Sequence, residues 1–273
     1  MSIDPFRDRV AVITGGASGI GRAMANGFAA RGAHLVLADI DEAALSLAEK
    51  ELSEAGTRVL AVPTDVARRE SVAALADATF RHFGAAHIIC NNAGIAMLGS
   101  LAQADPGDWD TSMAINFWGV VHGVDAFAQR LIEQKQGGHI LNTASMAGLV
   151  GMQYLGIYCA SKFAVVGLSE SLERELRPHE IGVSVLCPMI VATNIAQNSA
   201  RMLGREAAPA GAGDGNGDES PPMRGSVIPV DSVVERVVRG IEQRDLYIFT
   251  HPEQREFLGR RVARMDAVFE RDF

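Results

Sequence analysis

A tyrosine and a lysine four residues apart are the side chains in this sequence whose spacing points most directly to chemistry. Tyr158 and Lys162 lie at positions i and i+4, which places both on one face of a helix. A free phenol has a pKa near ~10, and a neighbouring ammonium favours the phenolate and lowers that pKa. Tyr158 then becomes a usable general base toward an alcohol and a general acid toward a ketone. Ser145 follows a predicted strand, where its hydroxyl could hold the substrate oxygen. The alternative is a solvated lysine beside a packed tyrosine.

A glycine-rich turn follows the first predicted strand. Residues 14–21 read Thr-Gly-Gly-Ala-Ser-Gly-Ile-Gly and lead into a helical stretch. Such a turn brings backbone N–H groups toward a phosphate, and the helix dipole adds favourable charge. Gly15, Gly19 and Gly21 permit the bend and the approach of a pyrophosphate. The glycine spacing differs from the generic Gly-x-Gly-x-x-Gly fingerprint, so a plain tight turn is the alternative.

An aspartate ends the second predicted strand. Asp39 lies about 20 residues beyond the glycine turn, where a carboxylate accepts hydrogen bonds from an adenosine ribose. The 2′-phosphate of NADP would meet that negative charge, and neither Ala17 nor Ile40 supplies a cation. The residue therefore predicts NAD rather than NADP. The alternative is that Asp39 caps the following helix.

Short β-branched runs alternate with amphipathic stretches and are the elements that must position these residues. The alternation predicts an α/β fold, a doubly wound parallel sheet of about seven strands covered by helices on both faces. Long helices are expected over 108–134 and 157–177, either covering the sheet only or also packing on a partner subunit. A C-terminal helix is expected over 252–273. The predicted strands span residues 9–14, 34–39, 59–63, 87–91, 138–143, 182–187 and 246–250.

Composition excludes several classes of protein. The 273 residues are 48% hydrophobic and 21% charged, which is enough apolar material for one globular domain over 1–273. The net charge of −8, with no lysine or arginine run, argues against a nucleic-acid surface. No apolar run reaches the ~20 residues that span a bilayer, and the N-terminus lacks a signal-peptide pattern. Three scattered cysteines and seven histidines predict no disulfide framework and no metal site. We expect a cytoplasmic protein.

Taken in order, these motifs resemble the short-chain dehydrogenase/reductase superfamily in its single-domain, NAD-preferring form, over residues 9–250. Asn-Asn-Ala-Gly at 91–94 and Asn116 in a long helix complete the pattern. The resemblance implies a catalytic set of Asn116, Ser145, Tyr158 and Lys162, with Asn116 holding a water that relays protons through Lys162. It also implies a dinucleotide site made of Gly15, Ser18, Gly19, Ile20, Gly21, Asp39, Asp65, Val66, Asn92, Ala93, Gly94, Tyr158, Lys162, Pro188, Ile190 and Thr193.

The sequence departs from the family at the turn after the sixth strand. The family usually has Pro-Gly followed by a threonine, whereas Pro188 is followed here by Met189, with Thr193 retained. The change puts the local backbone and the pocket volume in question. The resemblance further implies a substrate loop over 194–225. Within it, residues 207–222 are rich in glycine and proline and predict a mobile loop, either a lid or an insertion.

The substrate pocket implied by the resemblance is apolar and rich in methionine, which adapts to many shapes. We expect it to hold a secondary alcohol or ketone with an apolar or aromatic body; Arg201 and Arg205 are the cations that could reach in from the substrate loop. A finer resemblance is to bacterial aryl-alcohol dehydrogenases of lignin-type metabolism. The expected pocket residues are Met97, Met146, Met152, Tyr154, Leu155, Met189 and Ile195.

Three functions compete at this point. The first is an NAD-dependent alcohol dehydrogenase or ketone reductase, expected as a homodimer or homotetramer. The second is an NADPH-dependent 3-oxoacyl or polyketide ketone reductase, which Asp39 opposes. The third is a non-catalytic NAD-binding sensor or subunit, which would have no need for an intact set of Ser145, Tyr158 and Lys162.

Overall fold

Seven parallel strands form one sheet in the order β3-β2-β1-β4-β5-β6-β7. The structure is a computed structural model that describes residues 4–205 and 225–271. The pairing is parallel at every step, from Leu35 opposite Val59 at one edge to Leu186 opposite Ile248 at the other. The strands are β1 (Val10–Thr14), β2 (His34–Asp39), β3 (Val59–Pro63), β4 (Ile88–Asn91), β5 (Gly138–Thr143), β6 (Ile181–Cys187) and β7 (Tyr247–Phe249).

Helices cover both faces of this sheet. Three short 3-10 turns, at 101–103, 146–148 and 177–179, complete the described secondary structure. The helices are α1 (Gly19–Ala29), α2 (Glu42–Glu54), α3 (Arg69–Phe83), α4 (Pro106–Met113), α5 (Gly119–Gln134), α6 (Gly156–Leu176), α7 (Ile195–Met202), α8 (Val230–Gln243) and α9 (Gln254–Phe269), with a π-helical segment (Ala114–Trp118) between α4 and α5.

The central strand β1 explains why the sheet is apolar on both sides. All five of its residues are buried, and successive side chains point to opposite faces. Ala11 and Ile13 pack into a cluster with Phe28 of α1 and residues of α8, while Val10 and Val12 pack into a second cluster under α3 and α5. A continuous apolar run is therefore required in β1.

Helices α1 and α8 lie against each other on one face. A Cβ added at Gly27 of α1 would lie 2.3 Å from Cγ1 of Val234 in α8, so the glycine permits the close approach. Phe28 shares its core cluster with Val233 and Val237. This contact fixes α1, whose first residue follows the glycine turn, against a helix from much later in the chain.

The fold class predicted from the sequence is confirmed, and one predicted helix needs correction. The helix expected over 108–134 begins at Pro106 and changes to π geometry over Ala114–Trp118. This segment carries Asn116, whose side chain bonds the backbone of Ile95, and a helical periodicity does not encode such a distant contact. The Gly- and Pro-rich stretch at 207–222 lies outside the described residues. No helix in the described ranges is both long enough and apolar enough to cross a bilayer.

Candidate active site

A cavity of about 510 Å³ opens at the carboxyl ends of β1, β4 and β5. It lies where the chain order of the sheet reverses, because β1 has β2 on one side and β4 on the other. The connection from β1 leads to β2 on one side, and the connection from β3 leads back to β4 on the other side of β1. Open α/β sheets bind ligands at such a point. The lining residues that the sequence analysis named are Gly15, Ser18, Gly19, Ile20, Asn92, Ala93, Gly94, Ser145, Met146, Met152, Leu155, Tyr158, Lys162, Pro188, Met189, Ile190, Thr193 and Ile195.

The glycine turn has the conformation that the sequence requires. Gly15 and Gly19 have φ values of +65° and +53°, in the left-handed region that favours glycine. A Cβ at Gly21 would lie 2.0 Å from the carbonyl oxygen of Gly15, so the turn could not close around any other residue. Helix α1 begins at Gly19, and Gly19 and Ile20 of its first turn, whose N–H groups have no acceptor within a helix, line the cavity. The turn therefore fits the diphosphate of a dinucleotide.

Thr14 and Asn92 join the ends of three strands beneath the turn. The Thr14 hydroxyl accepts hydrogen bonds from the N–H groups of Asn92 and Ala93, at 2.9 and 3.1 Å. Asn92 Nδ2 donates to the Thr14 carbonyl at 3.0 Å, and Thr143 Oγ1 donates to Asn92 Oδ1 at 3.2 Å. These bonds hold the ends of β1, β4 and β5 in a fixed relation at the floor of the cavity.

Asp39 faces the glycine turn rather than the helix that follows it. One carboxylate oxygen accepts a hydrogen bond from Ala17 N at 3.1 Å, and the other accepts from Asp41 N at 3.1 Å. The cap of α2 is Asp41, whose side chain accepts from Ala44 N at 3.0 Å. The helix-capping alternative for Asp39 is therefore wrong, and its half-buried carboxylate lies beside the turn, outside the cavity lining.

Asp65 and Val66 also lie outside the cavity lining. The Asp65 carboxylate accepts a hydrogen bond from Ala67 N at 3.0 Å. Val66 is buried, and its carbonyl oxygen is 2.9 Å from Nδ1 of His122. The resemblance implies that these two residues contact the adenine of the dinucleotide, and that contact stays a prediction.

Ser145, Tyr158 and Lys162 are brought together by the loop after β5 and the first turns of α6. The Ser145 hydroxyl lies close enough to the Tyr158 phenol to favour its charged form. Ser145 Oγ also accepts from Ala147 N at 3.1 Å and lies 3.4 Å from the Pro188 carbonyl oxygen. Lys162 Nζ lies 5.7 Å from the centroid of the Tyr158 ring and donates to the Thr143 carbonyl at 2.8 Å. The arrangement presents a phenol and a hydroxyl to one point in the cavity.

Burial controls the proton affinities of this group. Burial raises the pKa of Tyr158, and the nearby Ser145 hydroxyl opposes that rise. Burial also lowers the pKa of Lys162 from its ordinary 10.5 to about 8. In the protein alone, desolvation of the phenolate thus outweighs the ammonium, which bonds Thr143, and a lowered Tyr158 pKa beside a positive nicotinamide ring stays a prediction.

Asn116 is fully buried beneath the cavity. Its Oδ1 accepts from Ile95 N at 2.9 Å, and its Nδ2 donates to Ile95 O at 3.0 Å. A Cβ at Gly94 would lie 3.0 Å from Asn116 Oδ1 and 3.4 Å from Lys162 Nζ. Asn116 and Lys162 therefore flank the same glycine, and π-helical segments such as the one carrying Asn116 frequently occur at functional sites.

Two of the expected pocket residues lie elsewhere. Met97 is buried in a cluster with Ile115 and Ile157, while its neighbours Ala96 and Leu98 line the cavity. Because an extended segment alternates its side chains, Met97 points to the opposite side. Tyr154 is 40% exposed and lies outside the lining. Further residues line the cavity without having been expected there, and most of them lie in the loops after β4, β5 and β6: Ile95, Ala96, Leu98, Thr143, Ala144, Ala147, Val191, Asn194 and Asn198.

Helix α7 closes one side of the cavity and is held by two ion pairs. Arg201 lies 3.2 Å from Asp41, and Arg205 lies 2.5 Å from Asp108 at the start of α4. The Ser199 hydroxyl accepts from Ala96 N at 2.9 Å. Both arginines thus pair with acidic side chains instead of pointing at the substrate.

Comparison with known proteins connects this geometry to a family. A family model described as short chain dehydrogenase matches residues 9–204. The C alpha-dehydrogenase of Sphingobium sp. is 34% identical over 258 residues, covering 93% of this chain and 84% of that protein. The probable oxidoreductase EphD of Mycobacterium tuberculosis is 39% identical over 190 residues, but this chain spans only about a third, 32%, of its length.

Solved structures agree in fold over nearly the whole chain. A short-chain dehydrogenase/reductase from Burkholderia phymatum in complex with NAD has a TM-score of 0.86 at 38% identity, with 99% of this chain and 98% of that chain covered. A short-chain dehydrogenase from Sphingobium yanoikuyae in complex with NADPH has a TM-score of 0.77 at 26% identity, with coverages of 97% and 96%. These neighbours and the glycine turn support a nicotinamide dinucleotide as cofactor. The chain belongs to the short-chain dehydrogenase/reductase family of oxidoreductases.

Proposed function

We propose that the protein is an NAD-dependent oxidoreductase that interconverts a secondary alcohol and a ketone on a substrate with an apolar or aromatic body. The observation that carries this proposal is the grouping of Ser145, Tyr158 and Lys162 at one end of a cavity whose other end is the glycine turn. A hydroxyl pair and a buried amine beside a dinucleotide-binding turn suit proton transfer coupled to hydride transfer.

Each residue has a distinct task in the proposed reaction. When bound, NAD would supply a hydride acceptor and, in its oxidised form, a positive charge that favours the phenolate of Tyr158. Tyr158 Oη takes the proton of the substrate hydroxyl, and in the reverse direction it protonates the ketone oxygen. The Ser145 hydroxyl holds that oxygen by a hydrogen bond as its charge changes. A water held at the buried Asn116, beside Gly94, would relay the proton away from Tyr158 through Lys162.

Asp39 and the glycine turn support NAD as the cofactor of this reaction. The Asp39 carboxylate is half-buried beside Ala17, where the 2′-phosphate of NADP would meet a negative charge. The bound NAD of the Burkholderia phymatum relative agrees with this choice, whereas the NADPH of the Sphingobium yanoikuyae relative keeps the alternative cofactor open to test.

The lining supports an uncharged substrate. Among the described residues that line the cavity, Lys162 is the one cation, and it bonds Thr143. Met146, Met152 and Met189 contribute flexible apolar surface that suits an aromatic or aliphatic body. The name of the Sphingobium relative, C alpha-dehydrogenase, is consistent with oxidation at a carbon bearing a hydroxyl.

Initial rates with NAD and NADP on aryl and aliphatic secondary alcohols test this function, with a 3-oxoacyl thioester and NADPH as the competing pair. We expect turnover of aryl alcohols with NAD and the loss of most of it in a matched preparation of Tyr158→Phe. Faster reduction of the thioester with NADPH would favour the biosynthetic reductase instead. Dinucleotide binding without turnover across the panel would favour the sensor.

We also infer a homodimer or homotetramer in the cytoplasm. Trp109 and Trp118 are 37% and 46% exposed on α4 and the adjoining π-helical segment, which suits burial against a second copy. The three cysteines are unpaired and buried, as a reducing compartment allows. Light scattering during gel filtration gives the subunit number, and a monomer would contradict the inference.

A further inference from the structure

Four polar side chains between β7 and α9 form a cluster that we call the C-terminal clamp: Thr250, His251, Glu253 and Gln254. Thr250, His251 and Gln254 are buried, with exposures of 0%, 3% and 1%. Buried polar side chains require hydrogen-bond partners. The partners of the clamp lie on or next to the wall of the substrate cavity, at least 25 residues away in the chain.

Two members of the clamp hold the turn after β6. Thr250 Oγ1 accepts a hydrogen bond from Met189 N at 3.2 Å. Gln254 Nε2 donates to the Cys187 carbonyl at 2.8 Å and lies 3.4 Å from the sulfur of Met146. Met146 and Met189 both line the cavity. The clamp thus fixes the backbone of Met189, the residue at which this sequence departs from its family.

The other two members hold the chain where the substrate loop returns. His251 Nε2 donates to the Ser226 carbonyl at 2.8 Å, because that oxygen can only accept. His251 Nδ1 lies 2.7 Å from Thr250 Oγ1, which links the two halves of the clamp. Glu253 Oε1 accepts from Ser226 N and Oγ at 3.4 and 3.3 Å. The same four residues therefore hold both the turn at Met189 and the chain at Ser226, just after the substrate loop.

Met189 itself connects these two points. A Cβ at Gly225 would lie 2.3 Å from Met189 Cε, so the methionine side chain packs directly against the glycine that precedes Ser226. A methionine side chain is flexible, and its direction depends on how firmly its backbone is held. Loosening Thr250 would let Met189 shift toward or away from the substrate space.

We propose that the C-terminal clamp is a positioning element that sets the place of the Met189 wall and so determines which substrates the cavity accepts. This inference rests on the proposed alcohol dehydrogenase function. The clamp touches neither Tyr158 nor Ser145 in the described contacts, so it acts on substrate fit rather than on proton transfer.

Thr250→Val tests the proposal, because it removes the hydroxyl and keeps the side-chain size. For a bulky aryl alcohol, diphenylmethanol, we expect KM to rise about three- to tenfold, because the hydroxyl that bonds Met189 N and His251 Nδ1 is lost. We expect kcat to stay within about threefold and the KM for isopropanol to change less, so that the preference between the two alcohols shifts. Thr250→Ser retains the hydroxyl and should restore the wild-type KM.

Thr79→Val is the matched control. Thr79 is equally buried, and its hydroxyl bonds Leu75 O within α3, away from the cavity. We expect this variant, which loses one buried hydrogen bond, to lose thermal stability without a change in either KM. A Thr250→Val protein whose alcohol preference moves no more than that of Thr79→Val would overturn the proposal, and so would a change confined to kcat or to NAD affinity.

Hydrogen exchange separates failure of the clamp from failure of the proposed function. We expect the peptide containing Met189 to exchange about tenfold faster in Thr250→Val than in wild type, because its N–H loses its acceptor. Unchanged exchange contradicts the clamp whether or not the wild type turns over an alcohol. Faster exchange in a protein that turns over no alcohol would support the clamp as the element that positions the cavity wall. It would reject only the proposed alcohol chemistry.

Discussion

The Asp39 carboxylate accepts a hydrogen bond from the N–H of Ala17, 3.1 Å away and 22 positions earlier in the chain. Its second oxygen accepts from Asp41 N, so the carboxylate joins the end of β2 to the middle of the glycine turn. A carboxylate has about four acceptor positions, which leaves room for ribose hydroxyls. The group proposed to select the dinucleotide thus also holds the turn that binds its phosphates.

Asp39→Asn should weaken the preference for NAD. The amide keeps an oxygen for Ala17 and removes the charge that repels a 2′-phosphate, so we expect the ratio of kcat/KM for NAD over NADP to fall about tenfold or more, equivalent to roughly 1.4 kcal/mol. Initial rates with both dinucleotides measure it. Glu42→Gln, in the first turn of α2, is the control, because one nearby charge disappears while the Asp41 cap and its pair with Arg201 remain. An equal fall in both variants would indicate a diffuse charge effect and contradict the role of Asp39.

Tyr158→Phe should lose most turnover and keep dinucleotide binding. We expect kcat to fall about 10²- to 10⁴-fold, the range that general acid–base catalysis contributes. The Kd for NADH, from fluorescence titration, should stay within about twofold, because only one hydroxyl is removed. Tyr154→Phe is the control, since Tyr154 lies outside the cavity lining and is 40% exposed. Wild-type turnover in Tyr158→Phe would exclude the phenol as the base.

Replacing Lys162 should change how stability depends on pH. Burial lowers the pKa of Lys162 from 10.5 to about 8, so below pH 8 the folded protein carries the full cost of a buried ammonium. Between about pH 8 and 10.5 the unfolded chain holds a proton that the folded protein has released, and the stability of the wild type rises with pH there. Lys162→Met removes this dependence and loses the bond to Thr143.

We therefore expect Lys162→Met to exceed the wild type in free energy of unfolding by about 1–2 kcal/mol at pH 7, after subtraction of the lost hydrogen bond. The difference should fall by about 2 kcal/mol near pH 9.5, a pH chosen to stay below the titration of Tyr158. Urea unfolding of dinucleotide-free protein at both pH values measures it. Lys50→Met alters a lysine that is 70% exposed and should show no such dependence. A pH-independent advantage for Lys162→Met would refute the buried-ammonium cost.

Arg205→Gln should loosen α7 over the cavity. The variant breaks the ion pair with Asp108 that holds the end of this helix to α4. We expect the KM of the alcohol to rise about two- to fivefold, while the melting temperature changes by only ~2 °C, because a largely exposed ion pair contributes little stability. Arg130→Gln breaks the pair with Asp77, remote from the cavity, and should leave KM unchanged. Equal KM values in Arg205→Gln and Arg130→Gln would show that the Arg205–Asp108 ion pair does not control how α7 closes over the cavity.

The sequence predicts the strands and the glycine turn well because both depend on local patterns. The predicted bounds of the second and third strands, His34–Asp39 and Val59–Pro63, match the structure to the residue. The φ values of Gly15 and Gly19 are likewise implied by residue type and position. Continuous apolar runs and glycine spacing carry this information without reference to distant residues.

What the sequence does not predict depends on distant contacts. The π-helical segment follows from Asn116 bonding Ile95, and the direction of the Tyr158 pKa follows from how deeply α6 is buried. Gln254 carried no motif, and its tie to the Cys187 carbonyl becomes visible only when α9 is placed beside β6. The direction of Met97 depends on alternation along a segment without regular structure. Each of these is decided by packing between elements that are far apart in the chain.

The packing of α1 against α8 has a consequence for synthesis on the ribosome. Gly27 and Phe28 meet residues of α8 that are translated long after the glycine turn. In a nascent chain that has been translated only through β6, the apolar face of α1 that α8 later covers is exposed to water. This exposed face can associate with other chains. The nucleotide-binding half therefore completes its packing only after the catalytic side chains have been translated. The growing polypeptide most needs protection from aggregation before Val233, Val234 and Val237 are translated.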